Sequence, residues 1–497
     1  MRTTKHLIFA ALVFGGASAA HGQGRSLNWG ASGGDAQRSN WERTDQRITK
    51  ENAKDLQLLF KMKLENQPRI QRALMPPLIL GNLISYRGFK ELAFVASNSD
   101  IVYAIDVDLG KMFWTKHLEY ASLEPPVYSS SSTCPGGLTA TPVMPPPPVR
   151  GAPPRAPAGA AARGPAQPGA APASITAPPP ARGPFAVFGQ PGVYVISSDG
   201  RLHRLNTSTG DDVVEPVKVL PSNANISSLN LEDNAIYAVT SHECNGAPDA
   251  VWAIDLTSEP PKAVSYALTG NSSGSGGVAV GAKGAVYVQT SEKLMALNAH
   301  DLALKQSFDA PGAPSETPSP LVFELKDREL VASPGKGGDL YLVDSGAVQK
   351  IPIARNIDGL ATWQDADGAR WILASVSGPL RPEFKVSSQN GPTPDGCIVA
   401  LKVEDESGKA VLTPAWASRD IAAPEPPVIA NGVVLALSGA SRTTLYALDA
   451  ATGKELYSSR NLVTSPTAGT GMTVTNGRIY FGTTDGTFYT FGIYQEH

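Results

Sequence analysis

Eight times along this chain an apolar strand runs into a second strand, which in six copies ends in Asp or Asn. The cleanest copies read Tyr103-Ala-Ile-Asp106, Trp252-Ala-Ile-Asp255 and Tyr446-Ala-Leu-Asp449. Leu202-His-Arg-Leu-Asn206, Leu294-Met-Ala-Leu-Asn298 and Leu340-Tyr-Leu-Val-Asp344 repeat the pattern, Cys397-Ile-Val-Ala-Leu401 varies it, and Phe488-Tyr-Thr-Phe-Gly492 is a truncated last copy. Self-similarity with a period of roughly 40–50 residues marks solenoids or propellers rather than independent domains. The strands are rich in Val, Ile, Tyr and Ala and punctuated by Gly, Asn, Asp and Ser, while no segment carries a sustained helical period. The expected fold is all-β: an eight-bladed propeller with four-stranded antiparallel blades arranged radially, so that only short sheet edges stay exposed.

Ring closure is legible as well. Blade 1 continues into Gly110-Lys-Met-Phe-Trp114 and blade 7 into Gly453-Lys-Glu-Leu-Tyr457, each a fourth, outer strand. Blade 8 has no such strand after its last repeat, whereas one spare strand, Leu56 to Leu64, precedes blade 1. Pairing the spare strand with the last blade covers two edges at once, and that pairing is predicted.

A chain of 497 residues would ordinarily divide into several domains, but a propeller grows by adding blades and stays one unit. With 18% charged residues and a net charge of -3 the chain offers no basic face, so a nucleic-acid partner is not expected. Residues 1–22 read as a signal peptide: Arg2 and Lys5 before an apolar core from Leu7 to Phe14, then Ala17-Ser-Ala19 or Ala20-His-Gly22 as the cleavage site. The mature segment, 23–497, lacks a lipid-bearing Cys at its start and a later run of membrane length. A periplasmic or secreted protein without a membrane span is the expectation. Cys134, Cys244 and Cys397 are an odd set for an oxidising compartment, compatible with one loop disulfide or none. The chain contains no Cys-x-x-Cys-His sequence, which excludes covalent c-type haem. A stretch built of Pro, Ala, Gly and Arg, about 144–184, reads as a disordered insertion in blade 2, between a first strand near Leu138 to Val143 and a second near Phe185 to Phe188.

The segment Asn28-Trp29-Gly-Ala-Ser-Gly33-Gly34-Asp35-Ala-Gln-Arg38-Ser39, followed by Ile48-Thr-Lys-Glu-Asn52-Ala-Lys-Asp-Leu56, closely resembles the opening of quinoprotein alcohol dehydrogenases. The resemblance runs through the blade repeats over nearly all of the mature chain. It implies a propeller of the pyrroloquinoline quinone (PQQ) type, with a quinone at the channel mouth, a Ca²⁺ polarising it and a carboxylate base. Matched residue by residue, it implies Glu243 as a Ca²⁺ ligand, Lys336 as a contact to an anionic cofactor and Ser227 as a cofactor-binding hydroxyl. Arg72, which precedes blade 1, is a further candidate at the mouth, where Arg72, Glu316, Asp358 and Lys336 would converge.

The departures from that pattern are equally specific. The family's adjacent cysteine pair corresponds to Thr133-Cys134-Pro135, with a single thiol. Its stacking Trp belongs near Ser275-Gly-Gly-Val278, which has no aromatic residue, and its Ca²⁺-binding Asn is replaced by Thr290-Ser291-Glu292. Its catalytic Asp has no clear counterpart, Asp309 and Glu316 being the nearest carboxylates. Asp365-Ala-Asp-Gly368 reads as a hairpin turn, with Trp363 and Trp371 packing between blades. Three functions follow: a degenerate propeller binding a small molecule, peptide or protein; a PQQ- and Ca²⁺-dependent alcohol or sugar dehydrogenase with an altered site; or a cell-envelope assembly scaffold.

Overall fold

The repeated Asp or Asn ends the third strand of its blade, and its side-chain oxygen serves the turn that follows. Asp106 Oδ1 accepts the Leu109 N–H at 3.1 Å, Asp255 Oδ1 that of Thr257 at 2.8 Å, and Asp449 Oδ1 that of Ala451 at 2.7 Å. Asn206 does the same for Ser208 at 2.8 Å. A short acceptor at this position satisfies turn donors that the ladder leaves over, which is why the repeat keeps Asp or Asn there.

The structure, a computed structural model, describes residues 28–66, 74–85, 88–118, 133–146, 192–270, 276–313, 318–467, 469 and 471–494. These form eight separate sheets. Blade 1 comprises Leu78–Ser85, Gly88–Ser97, Ile101–Asp106 and Lys111–His117. Blades 4 and 5 repeat that four-stranded plan from Ala279–Val280 to Leu304–Phe308 and from Leu321–Leu325 to Ala347–Pro352. Blade 3 splits its innermost strand into Asn225–Ile226 and Asn230–Glu232, and blade 6 adds Ser388–Gln389 beside its outer strand Lys409–Ala417. Middle strands are buried on both faces, as Ile101–Asp106 and Val433–Ser438 are, because they lie between neighbouring blades. Outer strands such as Lys111–His117 are largely exposed. Among the described residues helix is confined to two 3-10 turns, Ala53–Asp55 and Cys244–Gly246, and no helix is long and apolar enough to cross a membrane.

The predicted closure is present. Gln57–Lys63 runs antiparallel to Thr487–Gly492 as the outer strand of blade 8. Phe60 of that strand packs over Gly110 of blade 1, whose missing Cβ would lie 3.2 Å from the ring. Trp114 of blade 1 sits the same way over Gly210 of blade 2 and donates its Nε1–H to Thr207 O at 3.0 Å. Trp416 of blade 6 covers Gly453 of blade 7 and bonds Ala450 O at 3.0 Å. Gly210 and Gly453 have φ of 78° and 71°, and a Cβ on either would enter the indole. One outer aromatic seated on the next blade's turn thus ties blade to blade, including across the ring's seam.

In blade 2, Val143 is bridged to Tyr194 of the strand Val193–Ile196. Residues 185–188, where a second strand of blade 2 was expected, lie outside the described residues, as do residues 1–22, read as a signal peptide, and the Pro-rich stretch from 147 onward.

The N-terminal segment has a role of its own. Trp29 exchanges both backbone bonds with Ile79 of blade 1, and Gly30 O accepts the Met144 N–H of blade 2 at 2.7 Å. Ala36 O takes Val280 N–H of blade 4, Gln37 O takes Val322 of blade 5, Ser39 O takes Thr362 of blade 6, and Asn40 O takes Ile429 of blade 7. Blade 3 is reached by side chains: Asn230 Nδ2 donates to Ala36 O at 2.8 Å, and the buried Arg38 donates to Ser228 O and Leu229 O at 3.1 and 3.2 Å. Residues 29–40 therefore run along the innermost strands of seven consecutive blades. Edges that would otherwise end in unpaired donors are satisfied by one thread.

Candidate functional site

Each blade presents two ends. At one, which we call the mouth, lie the turns between second and third strands and the connections entering each innermost strand. At the other, the hairpin end, lie the turns between first and second and between third and fourth strands.

Ser227 sits at the mouth, between the two halves of blade 3's innermost strand. Its Oγ accepts the Val239 N–H at 2.9 Å, closing a ladder gap that the split strand creates. Gly277, φ 73°, lies against it: a Cβ there would stand 2.7 Å from Ser227 Oγ and 2.6 Å from Ser228 O. A Cβ on Gly276 would fall on the Ser319 hydroxyl, 2.9 Å from Ser319 N. The place where the resemblance puts a stacking indole is thus a closed seam of glycine against serine, without room for any side chain.

Glu243 is exposed on the mouth turn of blade 3, in left-handed backbone at φ 46°, with its N–H bonded to Asp249 Oδ1 at 2.8 Å. The next residue, Cys244, forms a disulfide with Cys134 across 110 positions, linking the connection before blade 2 to blade 3. Neither cysteine's partner was legible from spacing. Cys397 is free, buried, and pushed up to about 12 by that burial, hence an inert thiol.

Lys336 lies on blade 5's mouth turn, its N–H donated to Pro311 O at 2.8 Å, which brings it beside the connection that carries Asp309. Its ammonium is exposed and has no partner among the described residues, and Asp309 is exposed too. The same turn is held to blade 6 by Arg381, which donates to Gly337 O and, at 3.1 Å, to Ala354 O. Asp358 is not free to meet Lys336 as expected: its carboxylate accepts from Ser377 Oγ at 2.5 Å and Asn356 Nδ2 at 2.6 Å, and burial raises its pKa. Arg72 and Glu316 lie outside the described residues.

Two groups escaped the sequence reading. Glu425, in the connection entering blade 7, is buried and accepts from Thr467 Oγ1 and from the N–H groups of Gly469 and Gly471, at 3.0 and 3.1 Å. Burial raises its pKa against those hydrogen bonds. In blade 2, Ser197 Oγ lies 3.2 Å from His203 Nε2, and His203 Nδ1 lies 2.9 Å from Asp212 Oδ1. This is the order of a hydrolase triad, but Ser197 is fully buried and gives its proton to Asp199 Oδ1 at 2.5 Å. No substrate reaches it, and the network is structural.

Against this geometry the comparisons are specific about fold. The crystal structure of quinohemoprotein alcohol dehydrogenase from Comamonas testosteroni matches with a TM-score of 0.53 at 15% identity, over 95% of this chain and 81% of that one. The chain shares the eight-bladed propeller fold of that structure. Quinohemoprotein alcohol dehydrogenase ADHIIG from Pseudomonas putida HK5 gives 0.55 at 13% identity, over 94% of this chain and 80% of that one. A europium-containing methanol dehydrogenase gives 0.53 at 11% identity, over 94% and 98%. Residues 394–493 match the family model described as outer membrane protein assembly factor BamB. No curated protein matches the chain.

The described residues of this propeller do not fit PQQ with Ca²⁺. The stacking position is closed, the Ser227 hydroxyl is engaged by the backbone, and no group of three His, Cys, Asp or Glu side chains among the described residues could hold a metal ion.

Proposed function

We propose that this chain is an exported propeller that acts as a binding module for a protein or peptide ligand, on a quinoprotein-type ring that has given up quinone chemistry. The closed seam at Gly276, Gly277, Ser227 and Ser319 carries this reading. A planar cofactor needs an aromatic face beneath it, and here a single methyl group would collide. The match of residues 394–493 to the assembly-factor family supports a protein partner, in keeping with a scaffold role in the cell envelope. Export draws support from Arg2, Lys5 and the apolar run to Phe14, and from the Cys134–Cys244 disulfide, which suits an oxidising compartment. The dehydrogenase alternative draws on the fold likeness and on the unpaired Lys336 ammonium.

The test is titration of the purified chain with pyrroloquinoline quinone and Ca²⁺, followed by calorimetry and by alcohol-dependent dye reduction. No saturable binding is expected. Saturable binding with dye reduction that Glu243→Ala abolishes would overturn the binding-module reading.

A further inference from the structure

The hairpin end of blades 5 to 7 holds a cluster that neither the ring's architecture nor the mouth accounts for. Trp41 follows the thread and pairs beside Ile429 of blade 7. The Arg43 guanidinium lies over its ring at 4.8 Å and the Arg370 guanidinium at 5.6 Å. Arg370 also stands over Phe323 of blade 5 at 5.9 Å, so it is held between two aromatic rings. Trp371, the next residue, stacks on Trp363 at 6.4 Å and anchors its Nε1–H on Asp365 Oδ2 at 2.8 Å.

The two arginines differ in one respect. Arg43 is neutralised by Asp35 at 2.8 Å. Arg370 has no hydrogen-bond or ion-pair partner among the described residues, and its Nε is buried without an acceptor. Burial, with repulsion from Arg43, lowers its pKa, against the attraction of Glu324, which lies near enough to be felt but makes no ion pair with it. Trp363 likewise keeps a buried Nε1–H with no acceptor. Natural proteins seldom leave a guanidinium half-withdrawn from water and unpaired, because the desolvation cost is recovered only when an anion arrives. A planar fork pinned between rings loses little entropy on binding and matches a carboxylate with two parallel bonds.

We propose that Arg370, Trp41 and Trp371 form a docking site for an acidic peptide segment of a partner protein, with a partner carboxylate received by the Arg370 fork. Trp and Arg are the residue types that dominate interface energies, and of the two guanidinium groups over Trp41 it is Arg370 that lacks an ion pair. The site lies at the end opposite the mouth. It rests on the binding-module reading and names the partner chemistry, yet it uses none of the residues on which the quinone titration depends.

Hexaglutamate peptide, titrated into the full chain, is the probe, read by calorimetry and by fluorescence of the adjacent tryptophans. The expected result is saturable, salt-sensitive binding that weakens about tenfold or more in Arg370→Met and also in Arg370→Lys, which keeps the charge but loses the fork. Lys336→Ala, at the other end, should leave it unchanged. Thermal midpoints identify any variant that fails to fold, and Arg370→Lys remains informative if Arg370→Met does. No saturable binding, equal binding to hexaglutamine, affinity unmoved in the Arg370 variants, or binding of a sulfated oligosaccharide in place of the peptide would each overturn the proposal.

Discussion

Glu425 shows what burial does to one carboxyl. In the unfolded chain it titrates near 4.5, whereas in the ring its pKa is raised by burial, which outweighs Thr467, Gly469 and Gly471. The folded chain therefore holds a proton that the unfolded chain has already released. Stability from this group is complete below about pH 4.5 and is lost as pH rises through the folded value. Glu425→Gln removes that loss, so a plot of unfolding free energy against pH above 4.5 should flatten in the variant. It should also cost about 1 kcal/mol at low pH, since an amide nitrogen would face the Gly471 N–H. Denaturant melts at stepped pH check both, and identical slopes in the two proteins would contradict the assignment. Single residues were the least legible part of the sequence. Ser227, Glu243 and Lys336 could be placed by motif, but a motif states position and not partner. Ser227's hydroxyl is spent on Val239, twelve residues away, because a strand splits there, and no local pattern announces the split.

Strands and turns were legible because their signals are local. Alternation, Gly punctuation and the Asp or Asn that finishes most third strands all fall within a few residues, and the spare strand before blade 1 predicted its own partner. What local pattern could not supply was contact between blades. The Cys134–Cys244 bridge joins connections that are neighbours only after blades 2 and 3 have packed side by side. A loop of 110 residues closed by one bond removes much unfolded-chain freedom, worth about 4–5 kcal/mol in the entropic model and about 2–4 kcal/mol in typical practice. Cys134→Ala/Cys244→Ala, or reduction of the native chain, should lower the thermal midpoint by several degrees. Cys397→Ala should behave differently, with a small packing loss and no response to reductant, because its thiol is buried and forms no disulfide. Scanning calorimetry with and without reductant separates them. An unchanged midpoint on reduction would mean that the bridge contributes nothing to the ring.

The whole molecule changes the meaning of the segment that first suggested its relatives. Trp29, Gly34, Asp35, Arg38 and Ser39 look like a family signature in the sequence, and the structure uses them to hold a ring together. Gly34 leaves space that the Trp29 indole fills, with a Cβ there 3.0 Å from the ring, and Asp35 takes the Ser39 N–H and hydroxyl at 2.9 and 2.6 Å to set the bend. Arg38 spends its guanidinium on the carbonyls of Ser32, Ser228, Leu229 and Val278. A motif kept for closure predicts fold well and catalysis poorly, so the resemblance could be right about eight blades while the site it implied is shut at Gly276 and Gly277. The two N-terminal roles can be separated. A chain starting at residue 43 keeps the closing strand Gln57–Lys63 but loses the thread, freeing the N–H groups of Ile79, Met144, Val280, Val322, Thr362 and Ile429. Even if water reaches some of them, a cost of about 1 kcal/mol for each remaining donor consumes a large part of the 5–15 kcal/mol that ordinarily stabilises a domain. That chain should fold with a strongly lowered midpoint. A chain starting at residue 65 also exposes the edge Thr487–Gly492, and it should give no stable monomer unless a peptide of residues 28–64 is supplied in trans. Size-exclusion chromatography and thermal melts of the two truncations decide the matter: a monomer from residue 65 with the full-length midpoint would show that the ring needs neither its thread nor its borrowed strand.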